Sequence, residues 1–406
     1  MVAKKFKQIP LHEDIFVLSK AFKQSGFQLF VVGGAVRDFL MSNDPENFQP
    51  KDIDLATDAQ PSEVAQLLDD HQISNRPQGE AFGVWIAHIV DREYEIATFR
   101  EDGEYSDGRR PDSVSFCDAE ADYKRRDLTI NGLFYEIPKS NDLMGVVYDY
   151  GNGAGFADLA DFRIRTIGNP VDRFQEDRLR VMRAIRFHAR YHAVSAEEVF
   201  DAGMLNAIAR FKTLEGVSAP RIYQEFMAGI NKALHVPNLI RSYHNLELMP
   251  AIFPAIYNNG HMVHDQILLH LPEDGRNIAV ILASMFVHVD PELVRSCLNE
   301  MCWPNDVSNE VRYLLNVFQA ELEEVYRFAR KLTDVRRQNL SDFVDVVHRL
   351  DQKKHRDVYE YLIGYEIPEF GGDFITDQFG IEPGPEMGEK QRELHKQHFL
   401  NGYNSF

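Results

Sequence analysis

Near residue 172 the period of the hydrophobic pattern changes, and that change governs what this chain can become. Before it, runs such as FQLFVVGG, AFGVWIAHIV and YEIATFR pair β-branched and aromatic residues with a two-residue alternation, punctuated by Gly, Pro and Asp. After it, apolar residues recur every three and four positions, from RFQEDRLRVMRAIRFHARY to about residue 365. Strands first and helices second make an α+β protein: a head with a small mixed β-sheet and helices, followed by an all-α remainder. The last stretch, from about residue 366, is rich in Gly and Pro before a short polar helix, which reads as a loosely ordered tail.

Within the first part the local signals are specific. LHEDIFVLSKAFKQS reads as a helix over residues 11–25, closed by Gly26. The strand FQLFVV then runs into Gly33-Gly34 and the helical AVRDFLM. DIDLAT is a short strand in which Asp52 and Asp54 alternate with Ile53 and Leu55, so both carboxylates belong to one face. A proline opens a helix over residues 61–70, and two strands follow, broken at Asp91 and Arg92.

Composition removes several classes of function. No run approaches the roughly 18 apolar residues of a membrane span, and the N-terminal MVAKKFKQIPLHEDIF has no apolar core, so the expectation is a cytoplasmic protein with no membrane partner. Cys117, Cys297 and Cys302 lack the spacing of a zinc cluster and are too few for a disulfide framework. With 44 Lys plus Arg against 63 Asp plus Glu the formal net charge is -19, which repels a polyanion unless a local basic surface intervenes.

The chemistry concentrates around the paired aspartates. Asp52 and Asp54 can present four carboxylate oxygens to one pocket, which suits hard Mg²⁺. Taken alone, such a pair is more often a solvated strand end. Its surroundings shift that reading: Gly33 and Gly34 permit close backbone approach to phosphate, and Arg37, followed by Asp38, can neutralise it. Glu95, on a strand that can lie beside the pair, adds a third carboxylate. Three acids holding two Mg²⁺ ions would clamp the attacking hydroxyl and the leaving pyrophosphate of a nucleotidyl transfer.

In order, the segments GGAVRDFL, PKDIDLATDAQPSEV, YEIATFREDGEYSDGRRP, RRDLTING and IRTIGNPVDRFQEDRLRVMRAIRF resemble the class II tRNA nucleotidyltransferase and bacterial poly(A) polymerase family, over about residues 29 to 190. The resemblance implies that Asp52, Asp54 and Glu95 are the catalytic, metal-binding acids. It also implies that Arg125, Arg126 and Asp127, with Asn131 just after them, bind the incoming nucleotide. In EDRLRVMRAIRFHAR, Leu179, Met182 and Ile185 suit a core face, while Arg180, Arg183, Arg186 and Arg190 form another stripe that offsets the acidic total locally. Asp177 and Arg180, three apart, share a helix face, where a simple ion pair is the plain reading. The same pair has the donor and acceptor pattern to read the edge of C or A and to reject U or G. The resemblance implies that Glu176, Asp177 and Arg180 are such a template, with Arg183 beside them.

Within that family the segment RPQGEAFGVWIAH lacks the arginine-rich signature of the poly(A) polymerases, which favours the tRNA enzyme, with tRNA, CTP and ATP as partners. Addition of the whole CCA, of CC alone or of A alone is left open, as is oligomeric state. A poly(A) polymerase and a noncatalytic RNA-binding protein are the rival readings. The loop over residues 100–114 is expected to be mobile and, by resemblance, to remodel the pocket between C and A addition. The expected division is a head at 1–148, a neck with the nucleotide-selecting helix at 149–220, a body at 221–365 and a tRNA-binding tail at 366–406. HMVHDQILLHL and MFVHVDP resemble a degenerate HD phosphohydrolase module, in which His261, His264, Asp265, His288 and Asp290 are expected to be structural.

Overall fold

A computed structural model describes residues 2–45, 47–50, 52–78, 83–103, 113–141, 143–329, 331–349 and 356–405. The chain forms two compact units, one of Met1–His192 with Glu197–Val217 and one of Ala193–Ala196 with Ser218–Phe406.

The first unit is built on β1 (Ala3–Lys7), α1 (Glu13–Gln24), β2 (Leu29–Val32), α2 (Gly34–Leu40), β3 (Asp54–Thr57), α3 (Pro61–Asp70), β4 (Ser74–Pro77), β5 (Val84–Ile89) and β6 (Arg92–Thr98). It continues through β7 (Arg100–Asp102), β8 (Val114–Phe116), α4 (Ala119–Arg125), β9 (Leu133–Glu136), β10 (Gly145–Asp149), α5 (Ala154–Ala160), α6 (Pro170–Glu176), α7 (Leu179–Tyr191) and α8 (Ala202–Phe211). Eight strands form one sheet in the order β1-β10-β9-β2-β3-β6-β5-β4, and β7 pairs with β8 separately. Within the large sheet β3 and β6 run parallel and the other described pairings are antiparallel. Its edges are β1, whose Lys4, Lys5 and Lys7 are exposed, and β4, which ends on Pro77.

Register decides which side chains meet. Val32 pairs with Asp54 and with Phe134, and Asp54 pairs with Glu95, so these residues lie on one face with Phe30 and Ala56. That face is filled by an aromatic core of Phe30, Phe99, Phe134 and Tyr123, the last contributed by α4. Tyr94 belongs to the opposite face and donates to Asp14 of α1 at 3.0 Å.

The sequence reading holds closely for several elements. α1 begins after His12 and ends before Gly26, whose φ of +89° is the left-handed conformation a helix stop needs. α3 occupies residues 61–70 as expected and starts with a capping box between Gln60 and Glu63. Leu179, Met182 and Ile185 are all buried on α7.

Two differences matter. The strand carrying the aspartates begins at Asp54, so Asp52 sits in the bend before it. The C-terminal stretch is ordered by its aromatic residues: a helix over Pro385–Tyr403 buries Phe399 completely against Tyr361 and Tyr365. Gly371 and Gly384 sit at helix starts, Pro385 opens the last helix, and Gly380 ends the one before it. In the second unit every regular element among the described residues is helical, and Phe226, Phe253, Phe286 and Trp303 pack edge to face or stacked at its centre. Among the described residues no helix is long and apolar enough to cross a membrane.

Candidate active site

The parallel pairing of β3 with β6 sets Asp54 opposite Glu95. Asp52, Asp54 and Glu95 line one cleft of about 750 Å³, together with Pro10, Phe48, Arg92 and Tyr94. Partial burial raises the Asp54 carboxyl above its ordinary pKa, with Arg126 opposing the rise and Asp52 adding to it. Burial, then the charge of Asp54, raises Glu95 as well. Three oxygen donors that repel one another are the donor chemistry a hard dication satisfies. Among the described residues no three His, Cys, Asp or Glu side chains are gathered tightly enough to hold a metal ion, so the acids stand as separate donors along the cleft.

Gly33 sits beside this group with φ +70° and ψ −127°, a backbone conformation for glycine, at the start of α2. A Cβ there would lie 3.9 Å from Asp54 Oδ2 and 4.0 Å from Arg126 Nη1. Asp54, Gly33 and Arg126 are thus neighbours, and the glycine keeps the gap between carboxylate and guanidinium open. Gly34 opens α2.

Arg37 is placed differently from the sequence expectation of a phosphate ligand. It is buried, its guanidinium is bound to Asp38 and Asn131, and it stacks over Phe187 at 4.8 Å. It ties α2 to α7 and to the turn after α4. Asn131 in turn donates to Asp127 at 3.1 Å. Asp127 also accepts the backbone N–H of Leu128 at 2.7 Å and both Nε and Nη2 of Arg183, at 2.8 and 2.6 Å. Burial alone would raise its carboxyl, but Arg183 and these hydrogen bonds hold it far below the usual carboxylate range.

Arg125 and Arg126 close α4. Both bind Asp122, and Arg126 lies over the Phe134 ring at 4.6 Å. Asp122 stands three and four residues before Arg125 and Arg126, the spacing of helical ion pairs, and that is the sequence signal that points to it. Asp38 and Asp102 are legible only in three dimensions.

The segment around Glu176 also departs from the expectation. Asp177 is not on a continuous helix with Arg180: it is the extended residue between α6 and α7, with φ −145° and ψ 106°. Its carboxylate accepts the N–H of Leu179, the first residue of α7, at 3.1 Å from one position outside the N-cap Arg178. Arg180 is bound to Glu176, which Arg173 also grips, and donates to the Arg125 carbonyl at 3.0 Å. The arginine stripe is not one uniform basic surface, because Arg180 pairs with Glu176, Arg183 with Asp127 and Arg190 with Asp38.

In the second unit His261, His264 and His288 line a separate pocket of about 180 Å³. Asp265 is drawn to His244 at 3.1 Å, and Asp290 caps the helix Pro291–Glu300. Residues 104–112, the centre of the expected mobile loop, and 79–82 of the RPQGEAFG segment lie outside the described residues.

Residues 29–165 match the poly A polymerase head domain family. The CCA-adding enzyme of Bacillus velezensis is 30% identical over 310 residues, covering 74% of this chain and 70% of the relative. The chain belongs to the CCA-adding enzyme family. The Streptococcus mutans member extends the likeness to 95% of this chain and 92% of its own length, at 29% identity. A structure of the Thermotoga maritima CCA-adding enzyme complexed with tRNA superposes with a TM-score of 0.64 at 18% identity, covering 97% of this chain and 95% of that one, and so shares its fold. Family members are nucleotidyltransferases, and their chemistry generally uses a divalent metal.

Proposed function

We propose that this protein extends the 3′ end of tRNA with CCA, taking CTP and ATP and releasing pyrophosphate, and that it does so in the cytoplasm with Mg²⁺ as its metal. The observation that carries this reading is the register pairing of Asp54 with Glu95, beside Gly33 and Arg126 and in the cleft that also holds Asp52. Asp52, Asp54 and Glu95, which stand as separate donors in the cleft, are the acids that would have to converge to hold Mg²⁺. Bound there, the metal supplies Lewis-acid stabilisation of charge on the attacking and leaving oxygens.

The chain's own groups do the rest. Arg126 and Arg125 bring positive charge to the triphosphate. Gly33 and Gly34 leave room for the nucleotide above α2. Asp127 and Asn131 fix the turn that follows these arginines and anchor Arg183 to it. Glu176, Asp177 and Arg180 select the base: a carboxylate accepts from the amino group of C or A, while the guanidinium donates to the ring nitrogen. U and G would set an oxygen against that carboxylate, leaving it unpaired. Glu176 holds Arg180 in place until the base arrives.

The division into head at 1–148, neck at 149–220, body at 221–365 and tRNA-binding tail at 366–406 is part of the same proposal, and the boundary between Val217 and Ser218 supports the neck-to-body step. The test incubates the full chain with Mg²⁺ and tRNA ending before C, after C or after CC, supplied with each nucleotide alone and with CTP plus ATP. Ordered addition of C, C and A that then stops is expected. A long A tract would replace this reading with a poly(A) polymerase, stopping at CC or acting only on CC ends would restrict it, and no incorporation would overturn it.

A further inference from the structure

Asp122 is 1% exposed and sits on the inner side of α4, yet it is charged. Its carboxylate is the common acceptor for three arginines, two at the end of α4 and one on β7. Oδ1 accepts the Arg125 Nε at 2.8 Å and the backbone N–H of Arg100, on β7, at 3.2 Å. Oδ2 accepts Nε and Nη2 of Arg126 at 3.1 and 2.9 Å. The Arg125 Nη2 also lies 2.7 Å from Oδ1. A second carboxylate, Asp102, braces the cluster: it accepts Arg100 Nε at 2.8 Å and lies 3.8 Å from Arg125.

This arrangement does not explain itself as stabilisation. Removing a carboxylate from water is costly, and a buried ion pair seldom stabilises a fold more than packed apolar side chains would. What the cluster does accomplish is orientation. With Nε and Nη2 of Arg126 held on one edge by Asp122 and its plane resting on Phe134, the remaining nitrogen, Nη1, points toward Gly33 and Asp54. An arginine side chain free to rotate would have to be immobilised on binding, and the clamp removes that cost before the nucleotide arrives.

We infer that Asp122 is a positioning residue of the nucleotide site, which touches no substrate but holds Arg125 and Arg126 in the orientation that receives the triphosphate. This rests on the reading of those arginines as nucleotide contacts. Burial opposes ionisation of Asp122, and Arg126 with Arg125 outweighs it, so the carboxylate stays charged and the clamp engaged at neutral pH.

The test compares the full-length protein with Asp122→Asn, Asp122→Glu, Arg126→Ala and the double variant Asp122→Asn with Arg126→Ala, on tRNA lacking CCA and on tRNA ending in CC. Asn keeps the shape but offers one arginine an N–H₂ group in place of an oxygen. We expect the KM for CTP and for ATP to rise about tenfold, with kcat within about threefold and the KM for tRNA unchanged. Asp122→Glu should recover part of the loss. If Asp122 acts through Arg126, the double variant should be no worse than Arg126→Ala alone. Wild-type nucleotide KM values in Asp122→Asn, or fully additive losses in the double variant, would overturn the inference. So would a parallel fall in kcat and in affinity for tRNA accompanied by early melting. Failure of the wild-type protein itself to incorporate C or A would instead overturn the functional reading, so the two failures are distinguishable.

Discussion

His188 lies in the middle of α7, 1% exposed, with neither ring nitrogen hydrogen-bonded among the described residues. Its ring stacks on His192 at 4.6 Å and meets the edge of Phe200 at 5.3 Å. Burial, and next the charge of the neighbouring His192, push its pKa down from 6.5 to about 3. The folded protein therefore binds the imidazole neutral, whereas the unfolded chain protonates it near pH 6.5. This contribution to stability is complete above pH 6.5 and is lost progressively as pH falls from about 6.5 toward about 3. At about 1.36 kcal/mol per unit, lowering the pH from roughly 7.5 to roughly 5 removes about 2 kcal/mol through this one group. Carboxylates also titrate in that range, so the measurement is a difference. His188→Phe keeps an aromatic ring against Phe200 and cannot protonate. Urea unfolding at the two pH values is followed by the fluorescence of Trp85, in a Trp303→Phe background, because the protein has 2 tryptophans and only Trp85 lies in the first unit. The parent should lose about 2 kcal/mol more than the variant between the two pH values. Equal losses, or an imidazole that titrates near 6.5 in the folded state by NMR, would refute the reasoning.

Three further outcomes follow from the site. Arg183→Ala strips the buried Asp127 of a two-point guanidinium partner and should cost about 3–5 kcal/mol, with Arg183→Lys intermediate, read by the same unfolding assay. Gly33→Ala finds space for its methyl group but not a comfortable backbone, so it should destabilise by about 1–3 kcal/mol and reduce incorporation further by narrowing the gap between Asp54 and Arg126. Chelation with EDTA, or Asp54→Ala, should lower incorporation by on the order of 100-fold or more; excess Mg²⁺ restores the chelated enzyme but not the variant.

The strands and helices that carry the acids and the arginines are legible in the sequence because their neighbours impose order on them. A two-residue alternation puts Asp54 and Glu95 on strands, and the parallel pairing of those strands, which no local pattern encodes, sets two residues 41 positions apart opposite each other. The strand start slipped by two residues because Asp52 and Ile53 continue the alternation without backbone partners. β1 was invisible because its lysines face solvent on both sides of the pleat and leave no apolar alternation to read. The hinge at Asp177 was hidden for another reason: Glu176 to Arg190 has helical periodicity throughout, and an aspartate just outside an N-cap looks like any other acidic residue until its φ and ψ are known. Asp122 and Arg37 show the same limit from opposite sides. One is a buried carboxylate that the sequence reading passes over, and the other a charge expected as a phosphate ligand but bound inside the head.

The open edge of the large sheet has a consequence for the life of the polypeptide before it meets any substrate. A strand with unpaired N–H and C=O groups invites another chain to extend the sheet, and newly made molecules meet at high local concentration. On β1 the exposed Phe6 would favour such growth, but the same short strand carries Lys4, Lys5 and Lys7, the first two with their ammonium groups over the rings of Tyr148 and Phe156. A second copy aligned there antiparallel would press like charges together, while at the far edge Pro77 offers no N–H to share. The head thus carries its own barrier against fibrous self-association, and exchanging those lysines for valine would leave a template in its place.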